Sequence, residues 1–389
     1  MTKTDEKLKI ALVHDHLTTF GGAERVLYAM HRVFPEAPIY TLFSDEDITG
    51  SYFPNADIRV SSLQKFPKFL RKRFRYLSPF AIPAIENFDL RDFDIVISSA
   101  AFFAKGVITD PEAVHISYCH TPTRYLWDYE SSGMEINSKN IFIRFLEKLV
   151  LHFFRLWDYS AAERVDYFIA NSKNTKKRIQ KIYNKDAFIV YPSVDIELIQ
   201  GENADPLHRK SVLDNLPDNF FLIVSQLQKY KNIDLAVETF NKLEYPLVII
   251  GDGPERKYLE KIASDNIIFL GRQPDDIVRE CYDRAHAYIY PGKEDFGISA
   301  VEAMLFGKPV IAYRGGGLVE SVVEGVSGEF FDDAHPAVLA DAVRRLNLNY
   351  ENYNPLMIKN VGSKFGKDRF VSELRRILTR ILEHEMKEA

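Results

Sequence analysis

Cysteine is scarce in this chain, with Cys119 and Cys281 the only two among 389 residues. That excludes a disulfide framework or a cysteine-rich metal site, and it fits a reducing compartment. No uncharged run reaches the ~18–20 apolar residues of a spanning helix. The opening MTKTDEKLKIALVHDHLTTF is too acidic for a secretory leader, so the sequence reads as cytoplasmic. No P-loop pattern occurs, GDGPER stops short of the dinucleotide fingerprint, and there is neither a short-period repeat nor a low-complexity tract. Acidic residues are missing between Asp57 and Glu86, where Arg59, Lys65, Lys68, Arg71, Lys72, Arg73 and Arg75 mix with Phe66, Phe69, Phe74 and Tyr76. Such a stretch is either a dock for an anionic membrane, through Lys68, Arg71, Lys72 and Arg73, or a solvated basic face over a core-facing stripe. Nucleic acid is not expected as a partner, because the whole chain carries a net charge of −5.

What the chain does contain is the balance of an ordinary globular protein, 46% hydrophobic and 27% charged residues. At roughly 100–200 residues per domain this length predicts two domains. In the second half, apolar runs (FFLIVSQ, PLVIIGDG, IIFLG, AYIYP, PVIAY) alternate with helix-period segments, the signature of a doubly wound α/β domain with a parallel sheet. KIALVHDH, DIVISSA, AVHISYCH, YFIANS and AFIVYPSV repeat the theme in the first half, around insertions at 64–90 and 122–165. IFIRFLEKLVLHFFRLWDYSAAERV is helical by pattern but too often charged to span a membrane, and reads as a core helix, with an interfacial helix as the alternative. A boundary is expected near YPSVDIE, giving domains 1–195 and 196–365, with the amphipathic segment from about 366 to 389 returning to cap the first. The first 195 residues carry a charge of +2 and the remainder −7.

Ligands of open parallel sheets bind beyond the carboxyl ends of the strands. Those positions hold Asp15 and the Gly21-Gly22 turn, His120 and Arg124, Ser225-Gln226 and Lys231, Arg272-Gln273, and PGKEDFGISAVEAMLFGKPVIAY. In the last, Glu294 precedes a helix that Gly297 can open to an anion, and Glu302 lies eight residues on. Two carboxylates around an anion-binding helix start describe a nucleotide-sugar site, against the blander reading of a capping charge and a surface charge. His14 and His16 are weighed as metal ligands, one of them structural. The D-x-D pairs at Asp45 and Asp92 are poor cation sites, and Cys119 reads as a core residue.

ALVHDHLTTFGGAERVL, SYCHTPTRYLWD, YPSVD, QKYKNIDLAVETF, VIIGDGPE, FLGRQ and the E-x7-E segment occur in an order that resembles the retaining glycosyltransferases of family 4, over nearly the whole chain. The resemblance implies a GT-B fold, two Rossmann-like domains facing a central cleft, and a metal-independent enzyme without a cofactor. It implies catalytic roles for His120, Lys231 and Glu294. Donor contacts would come from Gly21, Gly22, Ser225, Gln226, Arg272, Gln273, Phe296, Gly297, Ile298 and Glu302, and acceptor or phosphate contacts from Asp15 and Arg124. The nearest pattern is that of bacterial mannosyltransferases of polysaccharide assembly, so GDP-mannose is the expected donor and a lipid-linked or saccharide molecule the acceptor. A UDP-sugar donor is one alternative. A weakly active nucleotide-sugar-binding partner is another, since Gln226 stands where the family commonly has Arg.

Overall fold

Strands that are apolar along their whole length must be covered on both faces, which favours parallel pairing through helical crossovers. The computed structural model, which describes residues 8–67, 71, 78–128, 141–195 and 204–388, has this arrangement twice. One compact unit comprises 1–191 and 371–389, the other 192–370.

In the first unit, β1 (Ile10–His14), β2 (Ile39–Thr41), β3 (Ile58–Val60), β4 (Ile95–Ala100), β5 (Val114–Cys119), β6 (Tyr167–Ala170) and β7 (Ala187–Ile189) form a parallel sheet in the order β3-β2-β1-β4-β5-β6-β7. In the second, β8 (Phe221–Val224), β9 (Leu247–Ile250), β10 (Ile267–Gly271), β11 (Ala287–Tyr290), β12 (Val310–Tyr313) and β13 (Gly328–Phe331) run in the order β10-β9-β8-β11-β12-β13. Strand order reverses between β1 and β4 and again between β8 and β11. At such switch points the flanking crossovers part and leave a crevice beyond the strand ends.

Cys119 is buried on β5, as its place in an apolar run implies. Helix Ile141–Glu163 departs from the core helix expected of it. Its inner face is seated through Asp158, fully buried, which accepts hydrogen bonds from Lys105 Nζ at 2.5 Å, Thr123 Oγ1 at 2.6 Å, Trp127 Nε1 at 2.7 Å and Tyr183 OH at 2.8 Å. Its outer face is open to solvent, with Phe142 71%, Phe145 64% and Phe153 60% exposed. Among the described residues no helix is long and apolar enough to cross a membrane.

The basic stretch is described only in part, and Lys68, Lys72 and Arg73 lie outside the described residues. Arg71 differs from the expected outward cation. Its Nη1 donates to the Ser44 carbonyl at 2.9 Å and to Gln64 Oε1 at 3.1 Å, and its Nε to the Phe66 carbonyl at 3.1 Å, so the guanidinium fastens its own loop. Asp45 caps helix Glu46–Tyr52, and Asp94 accepts from the Lys9 amide at 2.8 Å. The last helix, Lys367–Glu388, ends on the first unit, where Tyr167 OH donates to Glu385 Oε1 at 2.5 Å and Arg380 lies over the Phe188 ring.

Candidate active site

At the switch point of the second sheet, β8 runs into a single 3-10 turn, Lys229–Lys231, and β11 ends at Tyr290. Lys231 Nζ donates to Glu294 Oε2, and to Tyr290 OH at 3.0 Å, while Tyr290 OH donates to the same Glu294 oxygen at 2.7 Å. Burial alone would lower the Lys231 ammonium, but the Glu294 carboxylate overrides it and holds the group well above its ordinary range. Burial first, then Glu294, push the Tyr290 phenol up, so it stays a donor. The Glu294 loop is strapped at its far side, where the Gly317 amide donates to the Glu294 carbonyl at 2.7 Å. That approach needs Gly316, whose φ is +68° and where a Cβ would fall 2.0 Å from the same carbonyl oxygen.

Gly297, at φ +89°, opens helix Ile298–Leu305. The amides of Ile298 and Ser299 lead that helix and have no carbonyl of an earlier turn to bond. Glu302 sits on the buried side of the helix, 4% exposed, with Oε2 accepting from Tyr282 OH at 3.0 Å. Both carboxylates of the E-x7-E pair are thus held by tyrosine hydroxyls that the sequence reading passed over. The position of Tyr290 at the carboxyl end of a strand was the available signal.

At the switch point of the first sheet a polar chain runs through the ends of β1, β4 and β5. His14 Nδ1 lies 3.1 Å from the Ser99 carbonyl oxygen and 3.2 Å from Ser99 Oγ, and His14 Nε2 lies 3.6 Å from Glu24 Oε1. One ring nitrogen thus faces Ser99 and the other the Glu24 carboxylate. Burial would raise the Glu24 carboxyl, yet its hydrogen bond and charge interaction with His14 bring it down to about 2. The same Ser99 Oγ lies 2.8 Å from His120 Nε2, so one hydroxyl links the two rings. Burial, reinforced by the nearby His14, brings the His120 pKa down to about 4, so at neutral pH His120 is uncharged. Neither Ser99 nor the His14–Glu24 pair figured in the sequence reading of this site.

Other expected contacts are differently employed. The Gly21 amide, expected to face a ligand, donates to Glu24 Oε2 at 2.8 Å, the N3-carboxylate half of a capping box, leaving Gly22 exposed beside it. Asp15, expected near the acceptor, is 7% exposed and takes three backbone amides, those of Ala101, Phe102 and Ala104, at 2.7–2.9 Å. It anchors the loop after β4. His16, half-buried, stacks on the Phe43 ring, and among the described residues no group of three or more His, Cys, Asp or Glu is placed to hold a metal. Arg124 begins a short helix, half-buried. Ser225 and the exposed Gln226 follow β8. Arg272 is exposed after β10, whereas Gln273 is occupied by His208 Nε2 and by the Leu270 carbonyl.

Two family models match this chain, Glycosyltransferase Family 4 over residues 20–198 and Glycosyl transferases group 1 over 205–360. The chain is a family 4 glycosyltransferase. This glycosyltransferase is 25% identical to the alpha-1,3/1,6-mannosyltransferase ALG2 of Saccharomyces cerevisiae, over 92% of its own length and 82% of that protein. Its fold is the GT-B fold. It superposes on Anabaena HepE in complex with UDP and glucose with a TM-score of 0.67 at 16% identity, covering 96% and 100% of the two chains. It superposes on sucrose-phosphate synthase from Thermosynechococcus elongatus with a TM-score of 0.68 at 15% identity, covering 97% and 100%.

Proposed function

We propose that this glycosyltransferase moves mannose from GDP-mannose to a lipid-linked or saccharide acceptor, with retention of anomeric configuration and without a metal. The observation that carries the reading is the Lys231–Tyr290–Glu294 cluster over a helix start that ends on buried Glu302. Mannose is supported by the similarity to a mannosyltransferase along most of both chains. Lys231 supplies a permanent positive charge for the departing diphosphate, and the leading amides of helix Ile298–Leu305 supply partial charge beside it. Glu294 orients the sugar through its hydroxyls, and Glu302 accepts from the ribose. His120, neutral, hydrogen-bonds the transferred sugar. The leaving diphosphate takes the proton of the acceptor hydroxyl that attacks on the same face.

Glu294→Ala should abolish release of nucleoside diphosphate from GDP-mannose while the thermal midpoint stays within a few degrees. A folded, active variant would refute the assignment. Proton NMR of the product reports the anomeric outcome, and inversion would reject retention. Gln226 favours a second reading, a weakly active nucleotide-sugar-binding partner, because its amide is a neutral donor where a guanidinium would bind phosphate bidentately. If the enzyme reading holds, Gln226→Arg lowers the KM for the donor several-fold. If the chain only binds nucleotide sugar, the variant tightens binding and no transfer appears.

A further inference from the structure

Lys231 and Glu294 are each given to the donor in the reading above, yet their side chains hold each other. The two are only 14% and 16% exposed, so little water screens their charges. Glu294 Oε2 accepts from Lys231 Nζ and Tyr290 OH, and Oε1 accepts from the Asp295 amide at 3.1 Å. Lys231 Nζ also lies 3.0 Å from Tyr290 OH, so the phenol stays within reach of both charged groups when they part. The backbone keeps them close. The Gly317 amide straps the Glu294 carbonyl at 2.7 Å, and Gly292 packs against the Lys231 turn so tightly that a Cβ would fall 2.7 Å from the Lys231 carbonyl oxygen. An anion that pairs with Lys231 therefore has the Glu294 carboxylate beside it.

We propose that Glu294 sets the preference of this site for a nucleotide sugar over a free nucleoside diphosphate, and so expels the product after transfer. The inference rests on the donor reading above. A diphosphate that pairs with Lys231 takes the ammonium from Glu294. With a nucleotide sugar that loss is compensated, because sugar hydroxyls donate to the carboxylate oxygen that the ammonium has left. A free nucleoside diphosphate has no sugar to offer there. Its terminal phosphate, ionising a second time near pH ~6, also brings about one more negative charge at neutral pH. The carboxylate then faces like charge without its ammonium, a costly arrangement where water is scarce. Once the sugar has passed to the acceptor, Glu294 takes Lys231 back and the nucleoside diphosphate leaves.

The test is titration calorimetry of the full chain at pH 7.5 with GDP and GDP-mannose, and with UDP and UDP-glucose alongside. The wild type should bind the nucleotide sugar more tightly than its nucleoside diphosphate. Glu294→Gln keeps the size and an accepting oxygen but removes the charge. It should bind GDP about tenfold more tightly than the wild type does, and GDP-mannose no more tightly. Glu294→Ala should share the gain for GDP, whereas a merely structural role would weaken both ligands in both variants. Glu302→Gln removes the same charge on the ribose side and should weaken both ligands by similar factors, because both carry the ribose. The inference is overturned, with the donor reading left standing, if neither Glu294 variant gains affinity for GDP, if GDP-mannose gains equally, or if Glu302→Gln tightens GDP as much. A wild type that binds neither nucleotide pair overturns the donor reading and the inference with it. If only the uridine pair binds, GDP-mannose falls as the donor, and the same comparison on UDP and UDP-glucose decides the inference.

Discussion

One hydroxyl, that of Ser99, stands between two imidazoles. It lies 2.8 Å from His120 Nε2 and 3.2 Å from His14 Nδ1, so it couples the hydrogen placement on the two rings. Ser99→Ala should leave the fold intact, change the balance of His120 tautomers visible in nitrogen-15 spectra, and lower kcat about tenfold, less than the ~100-fold lower end for a positioned proton donor itself. An unchanged tautomer and rate would remove Ser99 from the mechanism. Residues such as Lys231, Glu294 and Glu302 were legible in the sequence because the rule for parallel sheets points to the positions beyond strand ends. Their partners were not. Lys231 and Glu294 are 63 residues apart in the chain, and no local pattern says that the two charges meet. Gly21 shows the converse, because its pattern matched an anion-binding turn while a carboxylate three residues on had already claimed the amide.

At the scale of elements, small residues set the distances at which loops and helices approach. A Cβ on Gly316 would lie 2.0 Å from the Glu294 carbonyl oxygen, against backbone that has no room to yield. Gly316→Ala should therefore lower stability by about 2–3 kcal/mol in urea titration, and should also reduce transfer by moving the Glu294 loop. Normal activity would show that the strap does not position the carboxylate. Gly106 acts similarly beneath helix Ile141–Glu163, where an added Cβ would fall 2.4 Å from the Trp157 ring. Parallel strands were readable as continuous apolar runs closed by Gly or Pro. The long helix was harder to read, because a segment apolar on most sides gives no sign of which face meets the core.

For the molecule as a whole, buried His115 and half-buried His120 link stability to pH. Burial takes His115 down to about 3, with the charge of Arg164 adding to it, and takes His120 down to about 4, against 6.5 for an ordinary imidazole. Below pH 6.5 the unfolded chain binds protons that the folded chain refuses, so stability falls as pH falls, by about 1 kcal/mol per pH unit for each histidine. Glu24 works in the same direction further down, its contribution present above its ordinary 4.5 and lost as pH approaches about 2. Urea midpoints measured at pH 7.5 and 5.5 should differ accordingly, and His115→Gln should reduce the difference. Equal midpoints would contradict the burial of these rings. The two-unit division has a consequence in time. Residues 371–389 are made after 192–370 yet belong to the unit whose sheet is made first. At roughly 5–20 residues per second, β6 and β7 must wait about 10–40 s for the helix that covers Tyr167 and Phe188, while residues 192–370 are already a complete, contiguous unit.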